Sequence, residues 1–270
     1  MADAKIIIAA HKEYWMPEDS MYLPLQVGAK GKKPIGYERD CNGKNISKRN
    51  GSFCELTGLY WAWKNLDAEY IGLVHYRRHF SVKNHIYRYM GDRHKEVLTG
   101  EQLDRILKNH DIVVPRKRNY VIETLYSHYA HTHYSYHLDI TLEVIKEKYP
   151  DYVDDYNMVI NKTSAHMFNM MIMRRDYLDA YCSWVFDILF EVEKRIVVGS
   201  DLSKFQKRFY GRISEIIFNV WLLHQVRTGT IKGKRIATVP YIYMEKIDWK
   251  RKVGAFLRAK FFNEKYEGSF

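Results

Sequence analysis

The sequence predicts an α/β fold in which helices flank a central, mostly parallel sheet. Short apolar runs of strand length alternate along the chain with segments of helical periodicity, the order typical of a parallel sheet. Runs such as 6–10 and 71–74 are apolar throughout, which indicates strands buried on both faces. The 270 residues are 46% hydrophobic and include only 15 glycines and 6 prolines, so the chain can bury one large core.

The first half of the chain is predicted to supply three strands and two helices. The first helix is assigned because Leu56, Leu59 and Trp63 recur at helical spacing, with Ser52 as a cap and Glu55 three residues later. The predicted elements are, in order, a strand over 6–10, a loop region over 14–45, a helix over 52–65, a strand over 70–74, a helix over 101–109 and a strand over 111–115.

The second half is predicted to be richer in helix. Its elements are a helix over 139–149, a strand over 165–173, helices over 177–196 and 213–225, and a strand over 237–243. No repeat with a period of 20 to 50 residues is present, and no linker precedes residue 245. We therefore expect one domain over residues 1–244, followed by a basic amphipathic segment over 245–270.

Charge and cysteine content narrow the class of protein. Lys and Arg number 43 against 32 Asp and Glu, a formal charge of +11 that favours a polyanionic partner: nucleic acid, an acidic membrane or a phosphorylated small molecule. Zinc-finger spacing, an RNA-binding aromatic signature and a basic zipper are absent, so nucleic acid stays a background hypothesis. Three cysteines without CxxC spacing, no signal peptide and no run of 18 apolar residues predict a cytoplasmic protein.

The stretch YIGLVHYRRHF, residues 70–80, is the most informative on function. An apolar strand runs there directly into a polar cluster, and ligands of open α/β sheets lie beyond the carboxyl ends of strands. Arginine presents a planar fork of donors that suits phosphate. On the residues alone, a strand end covered by solvated cations is an equal alternative. The candidate phosphate-binding residues are His11, His75, Tyr76, Arg77 and Arg78.

Four histidines lie among aromatic residues between positions 120 and 137. His133 and His137 are four residues apart, so on one helix they would share a face, and Asp139 could complete a metal site. The same imidazoles, interleaved with tyrosines, also suit stacking and hydrogen bonding to a sugar or a base. A purely structural role is the third reading.

Glu215 lies in GRISEIIFNVWL, on the N-terminal side of a predicted helix. The helix dipole would keep a carboxylate there ionised. On spacing alone, an ordinary acid in the first turn of a helix is the favoured interpretation.

Four ordered motifs together resemble one family. They are the helix over 53–65, the strand over 70–80, the strand over 166–173 with the helix that follows it, and the segment 211–222. The series resembles the DUF4422 family, a bacterial family linked to capsular polysaccharide and exopolysaccharide biosynthesis that looks like a set of glycosyltransferases. The resemblance covers about residues 5–225 and implies a single GT-A-like (Rossmann-like) domain with a mostly parallel mixed sheet. It also implies a hexosyltransferase that uses a UDP-sugar, with galactofuranose as the leading sugar.

The resemblance also implies roles for individual residues. Many GT-A enzymes carry an Asp-x-Asp metal motif after the strand that matches 70–74, but this sequence has no Asp-x-Asp and places His75 to Arg78 there. These residues are expected to stabilise the leaving diphosphate without a required cofactor, with Mn²⁺ or Mg²⁺ as the alternative. Glu215 is the expected general base and Asp139 the second choice. The expected sugar or acceptor contacts are His133, His137, His166 and Asn169.

The segment 245–266 combines seven cations with aromatic and aliphatic residues at helical spacing, the pattern of an interfacial helix on anionic lipid. A helix packed on the domain is the alternative. The favoured interpretation is a peripheral enzyme on the inner face of the plasma membrane, with a polyprenyl-diphosphate-linked saccharide as acceptor. The alternatives are a non-catalytic nucleotide- or carbohydrate-binding protein and, last, a nucleic-acid binder.

Overall fold

The computed structural model describes residues 2–83, 92–196 and 202–245. Its strands are β1 (Ala4–Ala10), β2 (Tyr22–Gln26), β3 (Glu38–Arg39), β4 (Tyr70–His75), β5 (Arg78–Phe80), β6 (Ile112–Pro115), β7 (Arg118–Asn119), β8 (Ser164–Ala165), β9 (Met171–Arg174), β10 (Ile236–Val239) and β11 (Tyr241–Tyr243). Its α-helices are α1 (Asn50–Phe53), α2 (Leu56–Asn65), α3 (Gly100–Leu107), α4 (Leu125–Thr132), α5 (Tyr136–Lys148), α6 (Val153–Ile160), α7 (Arg175–Arg195) and α8 (Phe209–Arg227).

A mixed sheet organises the fold. Its main path has the order β10-β6-β9-β4-β1-β2-β3, and β5 and β11 form an antiparallel ribbon attached to β4. Every strand on the main path runs in one direction except β9, which lies antiparallel between β4 and β6. The predicted α/β architecture with a mostly parallel mixed sheet is therefore confirmed.

The strands form where the sequence is continuously apolar. Ile6, Ile7 and Ile8 of β1 are fully buried, as are Ile112, Val113 and Val114 of β6. Helix α2 approaches β1 and β2 closely through Gly58, where a Cβ atom would lie 3.3 Å from Ile7 Cδ1 and 3.0 Å from Val27 Cγ1. A side chain at this position would push the helix off the sheet.

Five predicted elements differ from the observed ones. The region 14–45, expected to be a loop, contains β2 and β3, and the strand expected over 237–243 is divided into β10 and β11, which pair with β6 and β5. The helix expected over 52–65 is broken at Cys54, whose φ is +53°, and Ser52 does not cap it but donates to the Arg49 carbonyl. The strand expected over 165–173 is likewise interrupted, because Phe168 and Asn169 adopt φ of +79° and +53°. Helix α8 begins at Phe209 rather than 213, so Glu215 lies in its second turn and not at its N-terminus.

The topology brings several chain segments to one edge of the sheet. The carboxyl ends of the parallel strands β1, β4 and β6 meet there with the N-terminal end of the antiparallel β9. In open α/β sheets this is the edge at which ligands bind. No α-helix in the described part of the chain has the length and apolar character needed to cross a membrane. The predicted segment 245–270 lies, except for Glu245, outside the described residues.

Candidate functional site

A group of cations lies at the carboxyl ends of β1 and β4. His75 is the last residue of β4 and pairs with Ala9 of β1, and the backbone N–H of Arg77 donates to His75 Nδ1 at 3.2 Å. The ring of Tyr76 is buried and meets the ring of His11 edge-on at 5.2 Å. The structure therefore brings together the five residues predicted from the sequence to bind phosphate.

Electrostatics at this edge disfavour further positive charge. Burial, with the charges of Arg78 and Arg77, holds the pKa of His75 well below its ordinary value. Burial and the charge of Arg77 lower the pKa of His11 as well. Both imidazoles are therefore neutral at pH 7, and a bound anion would relieve the repulsion among the remaining cations.

Arg78 contacts two aromatic rings that are nearly perpendicular to each other. Its guanidinium carbon lies 3.8 Å from the ring centroid of Phe168 and 4.8 Å from that of Tyr243, which faces Arg78 across the β5–β11 pair. Burial lowers the pKa of Arg78, and within the described residues its Nε donates to no protein acceptor. Arg77 differs, since it is more exposed and lies 3.6 Å from Glu245.

Two further arginines reach this edge: Arg208, directly before α8, and Arg212, in the first turn of α8. Arg208 Nε lies 3.1 Å from Cys54 Sγ, at the break between α1 and α2. A Cβ atom on Gly211 would lie only 3.3 Å from Cys54 Sγ, so glycine permits this close approach of α8. Burial, and then the charge of Glu55, raises the pKa of the Cys54 thiol to about 11. We use the name basic cluster for His75, Arg77, Arg78, Arg208 and Arg212.

Two carboxylates accompany the basic cluster. Glu215 is 4% exposed, and its Oε1 lies 3.0 Å from Nη1 of Arg212, one turn earlier on α8. The charges of both Glu215 and Glu55 act on Arg78. Cations and candidate acids therefore share one region, the arrangement expected where a leaving group and a general base are handled together.

Asn169 connects Glu55 and α8 to the segment before β9. Its Nδ2 donates to Glu55 Oε1 and to the Gly211 carbonyl, both at 3.0 Å, and its Oδ1 accepts from Ser214 Oγ at 2.9 Å. Asparagine tolerates the left-handed backbone found here better than most residues. Asn169 is thus placed beside the basic cluster, and its described contacts are to protein groups.

His166 is buried at the end of β6. Its Nδ1 lies 2.6 Å from the Pro115 carbonyl, and its backbone N–H donates to Asn219 Oδ1 at 2.9 Å. Burial lowers the pKa of His166, so the ring is neutral and Nδ1–H is the donor to the carbonyl. These bonds tie the segment before β9 to β6 and to α8.

The four predicted histidines lie in two different environments. The imidazoles of His128 and His131 each lie 2.7 Å from a carboxylate oxygen of the buried Glu123. His133 follows the end of α4 and His137 belongs to α5, so the expected shared helix face is wrong. Both side chains are buried, and His137 stacks on Phe209 at 4.0 Å, which favours a packing role over contact with a sugar.

Asp139 and Glu215 bond to different residues. It is exposed on α5 and accepts a hydrogen bond from the Tyr126 hydroxyl at 3.0 Å. The expectation of a metal site built on His133, His137 and Asp139 gains no support, since the described ranges contain no group of three His, Cys, Asp or Glu arranged to hold a metal ion.

Sequence reasoning missed several residues of the site. Arg208, Arg212 and Glu215 are spaced by four and three, which is the spacing of one helix face, but that pattern was hidden because the helix was expected to start at 213. Phe168 and Tyr243 carry no sequence signal, since they meet Arg78 only through tertiary packing. The missed residues are Glu55, Phe168, Arg208, Arg212 and Tyr243.

Comparison with known proteins assigns the family. The model of a domain of unknown function, DUF4422, matches residues 5–226. The chain belongs to the DUF4422 family. Among solved structures, this DUF4422 chain is similar to the apo structure of WbbM, described as a bifunctional glycosyltransferase, with a TM-score of 0.80 and 26% identity.

The similarity to WbbM covers 90% of the DUF4422 chain and 46% of the WbbM chain, so the present chain spans about half the length of that protein. The comparison with curated proteins gives no match. The family expected from the four motifs and the glycosyltransferase-like α/β fold are both confirmed.

Proposed function

We propose that this DUF4422 chain is a glycosyltransferase that moves a sugar from a UDP-sugar to a polyprenyl-diphosphate-linked saccharide during capsular or exopolysaccharide assembly. Galactofuranose is the leading candidate for the sugar. The similarity to WbbM supports the reaction class. The observation that carries the proposal is the position of Arg78, half-buried against the rings of Phe168 and Tyr243 at the carboxyl ends of the parallel strands, with the charge of Glu215 acting on it.

The basic cluster accounts for departure of the nucleotide. Negative charge grows on the diphosphate as the bond from the sugar C1 to the phosphate oxygen breaks. Arg77 and Arg78 supply charge-assisted hydrogen bonds to its oxygens. His75 is neutral because burial and the two arginines lower its pKa, and since its Nδ1 accepts from the Arg77 N–H, it offers Nε2–H as an uncharged donor. The ring contacts of Arg78 fix the plane of its guanidinium and therefore the direction of its donors.

Glu215 accounts for activation of the acceptor. The acceptor hydroxyl oxygen attacks C1, its proton passes to the Glu215 carboxylate, and the electron pair of the breaking bond leaves with UDP. Arg212 holds the carboxylate in place through Oε1. Such a single displacement inverts the anomeric configuration. Asp139 is the weaker candidate, because it is exposed and bonded to Tyr126 away from the basic cluster.

Membrane contact through the segment 245–266 remains part of the proposal. The acceptor is anchored in lipid, and a basic, aromatic segment would hold the enzyme at an anionic inner leaflet. Flotation of the full chain with vesicles that contain phosphatidylglycerol, compared with pure phosphatidylcholine, tests this association.

A ligand screen tests the function. Thermal shifts are measured with UDP-, GDP-, CMP- and dTDP-sugars, each with and without Mn²⁺, and the stabilising donors are then assayed for transfer and for slow hydrolysis. We expect UDP-sugars to raise the melting temperature and one of them to turn over. Stabilisation without any turnover would favour a non-catalytic binding protein. Failure of every nucleotide sugar, together with steeply salt-dependent binding of DNA or RNA, would favour a nucleic-acid binder and overturn the proposal.

A further inference from the structure

Two exposed aliphatic side chains form the tip of the loop between β7 and α4. Val121 is 74% exposed and Ile122 is 67% exposed, more than any other large hydrophobic residue of the described ranges. Single exposed aliphatic residues are ordinary, but two adjacent ones at a loop tip form a site at which burial would be favourable. The tip is therefore a candidate contact surface.

Backbone hydrogen bonds on both sides of this tip fix its position. The backbone N–H of Tyr120 donates to the Thr163 carbonyl at 2.8 Å, and that of Leu125 donates to the Lys162 carbonyl at 2.9 Å. Val121 has a φ of +62°, a left-handed conformation that is a genuine outlier for a β-branched residue, and its N–H donates to Asn119 Oδ1 at 2.8 Å. Strained backbone of this kind persists where the surrounding structure imposes it, and it concentrates at functional positions.

Cations flank the tip in sequence, and one more lies beside its anchor. Arg116 and Lys117 are exposed just before it, Arg118 is half-buried, and Lys162 is exposed beside its anchor. Glu123 is the only acid between positions 116 and 124, and it is buried with both oxygens bonded to imidazoles. The surface thus offers positive charge and aliphatic carbon together.

We propose that the loop 116–122 docks on an anionic lipid bilayer, with Val121 and Ile122 entering the interfacial layer and the flanking cations at the lipid phosphates. Aliphatic groups bordered by Lys and Arg suit this boundary, because it offers hydrocarbon and negative charge within a few ångströms. A protein partner that matched the aliphatic tip would also need acids for the cations. The inference stands on the loop itself, and neither sugar transfer nor the segment 245–266 is needed for it.

The loop lies close to the candidate functional site, so docking at its tip would bring the bilayer near that site. Tyr120, directly before the tip, is buried, which raises the pKa of its hydroxyl, and the charges of Arg118, Glu215 and Arg212 also act on it. The loop therefore borders the region of Glu215 and Arg212. Docking through the tip would turn that part of the site toward the membrane surface.

An environment-sensitive fluorophore at the tip tests the proposal. The full chain carries Cys41→Ser, because Cys54 and Cys182 are buried, and Ile122→Cys labelled with a nitrobenzoxadiazole probe. We expect a blue shift and a severalfold rise in emission with vesicles that contain phosphatidylglycerol, and none with pure phosphatidylcholine. Val226→Cys, labelled in the same way, is the control, since Val226 is also exposed but lies eleven residues beyond Glu215 on α8, about 16 Å along the helix.

A second measurement uses unlabelled variants in flotation. Val121→Asp combined with Ile122→Asp should lower the partition coefficient for anionic vesicles about tenfold or more, whereas Val226→Asp should bind as the parent chain does. A probe at position 122 that stays in water on vesicles that carry the protein overturns the proposal and leaves a protein partner for the loop. Insertion of the probe in a chain that binds no nucleotide sugar would uphold the inference while the proposed function fails.

Discussion

Arg212 and Glu215 form an ion pair of 3.0 Å within the first two turns of α8, at the edge where β1, β4 and β6 end. The ion pair fixes the orientation of the Glu215 carboxylate and gives this almost fully buried charge a cationic partner. If Glu215 is the base, Glu215→Gln should lower kcat about 10²- to 10⁴-fold, because the amide cannot accept the acceptor proton. Nucleotide affinity, measured by titration calorimetry, should stay within a factor of about three.

The control for Glu215 is Glu191→Gln. Glu191 also pairs with an arginine of its own helix, Arg195 at 3.1 Å, but on α7 away from the basic cluster. Its loss should leave kcat unchanged. Undiminished turnover by Glu215→Gln would remove this residue from the mechanism.

Arg78 should be intolerant even of lysine. The guanidinium of Arg78 contacts the rings of Phe168 and Tyr243, and an ammonium group has neither its plane nor its forked donors. We expect Arg78→Lys and Arg78→Ala each to lower kcat/KM for the donor by at least about 10²-fold, roughly 3 kcal/mol of transition-state stabilisation. Arg105→Ala, which removes an exposed arginine paired with Glu101 on α3, should have no effect. Equal activity of the lysine variant and the parent would contradict the stacking argument.

Removal of divalent ions should leave activity in place. Arg77 and Arg78 follow the end of β4, the position that the resemblance to GT-A enzymes assigns to an Asp-x-Asp metal motif. We expect the initial transfer rate in EDTA to stay within about twofold of the rate with Mn²⁺, since arginine supplies the charge on the departing diphosphate. Activity that disappears in EDTA and returns with Mn²⁺ would show that the cations alone are insufficient.

Stability should decline in mild acid because of His79. This residue is fully buried near the rings of Trp15 and Tyr22, and burial lowers its pKa to about 4 from 6.5. The unfolded chain therefore takes up the proton first as the pH falls. The stabilisation linked to neutral His79 is fully present above pH 6.5. It decreases as the pH falls from 6.5 to about 4 and does not change further below that.

The expected loss from His79 alone between pH 7 and pH 5 is about 2 kcal/mol in the free energy of unfolding. Urea unfolding at both pH values measures it. His79→Phe, which cannot be protonated, should reduce the pH dependence by about that amount. An unchanged pH dependence in the variant would show that His79 does not cause the effect.

Asp40 should be a major determinant of stability near the start of the chain. Its buried carboxylate accepts from the backbone N–H groups of Gly28 and Ala29 at 2.7 and 2.9 Å, and from the hydroxyls of Ser47 and Thr57. Asp40→Ala leaves these donors buried and unpaired, so we expect a loss of about 3 kcal/mol or more in urea unfolding. Asp176→Ala, which removes an exposed partner of Arg174, should cost at most about 1 kcal/mol. Similar losses of unfolding free energy in Asp40→Ala and Asp176→Ala would show that the buried hydrogen bonds of Asp40 are not a major determinant of stability.

The parts of the fold that were predictable are those set by local pattern. Strands β1, β4 and β6 were found because each is a continuous apolar run, and their polar ends were found with them. The interruption before β9 was not, because Asn169 is held by Glu55, Gly211 and Ser214, contacts that no local pattern encodes. The site was predictable in part for the same reason. His75 to Arg78 are contiguous in sequence and were predicted, whereas Arg208 and Arg212 lie more than a hundred residues further along the chain and were not.

The pairing of β11 with β5 places the final described strand beside Arg78. Tyr243 covers one side of Arg78, and the Met244 backbone N–H donates to the Arg77 carbonyl at 3.0 Å. Affinity tags, fusions and deletions that disturb residues 241–244 would consequently change donor affinity, even though they lie more than 160 residues from the arginine pair in sequence. Expression designs for DUF4422 chains should therefore keep this short ribbon intact.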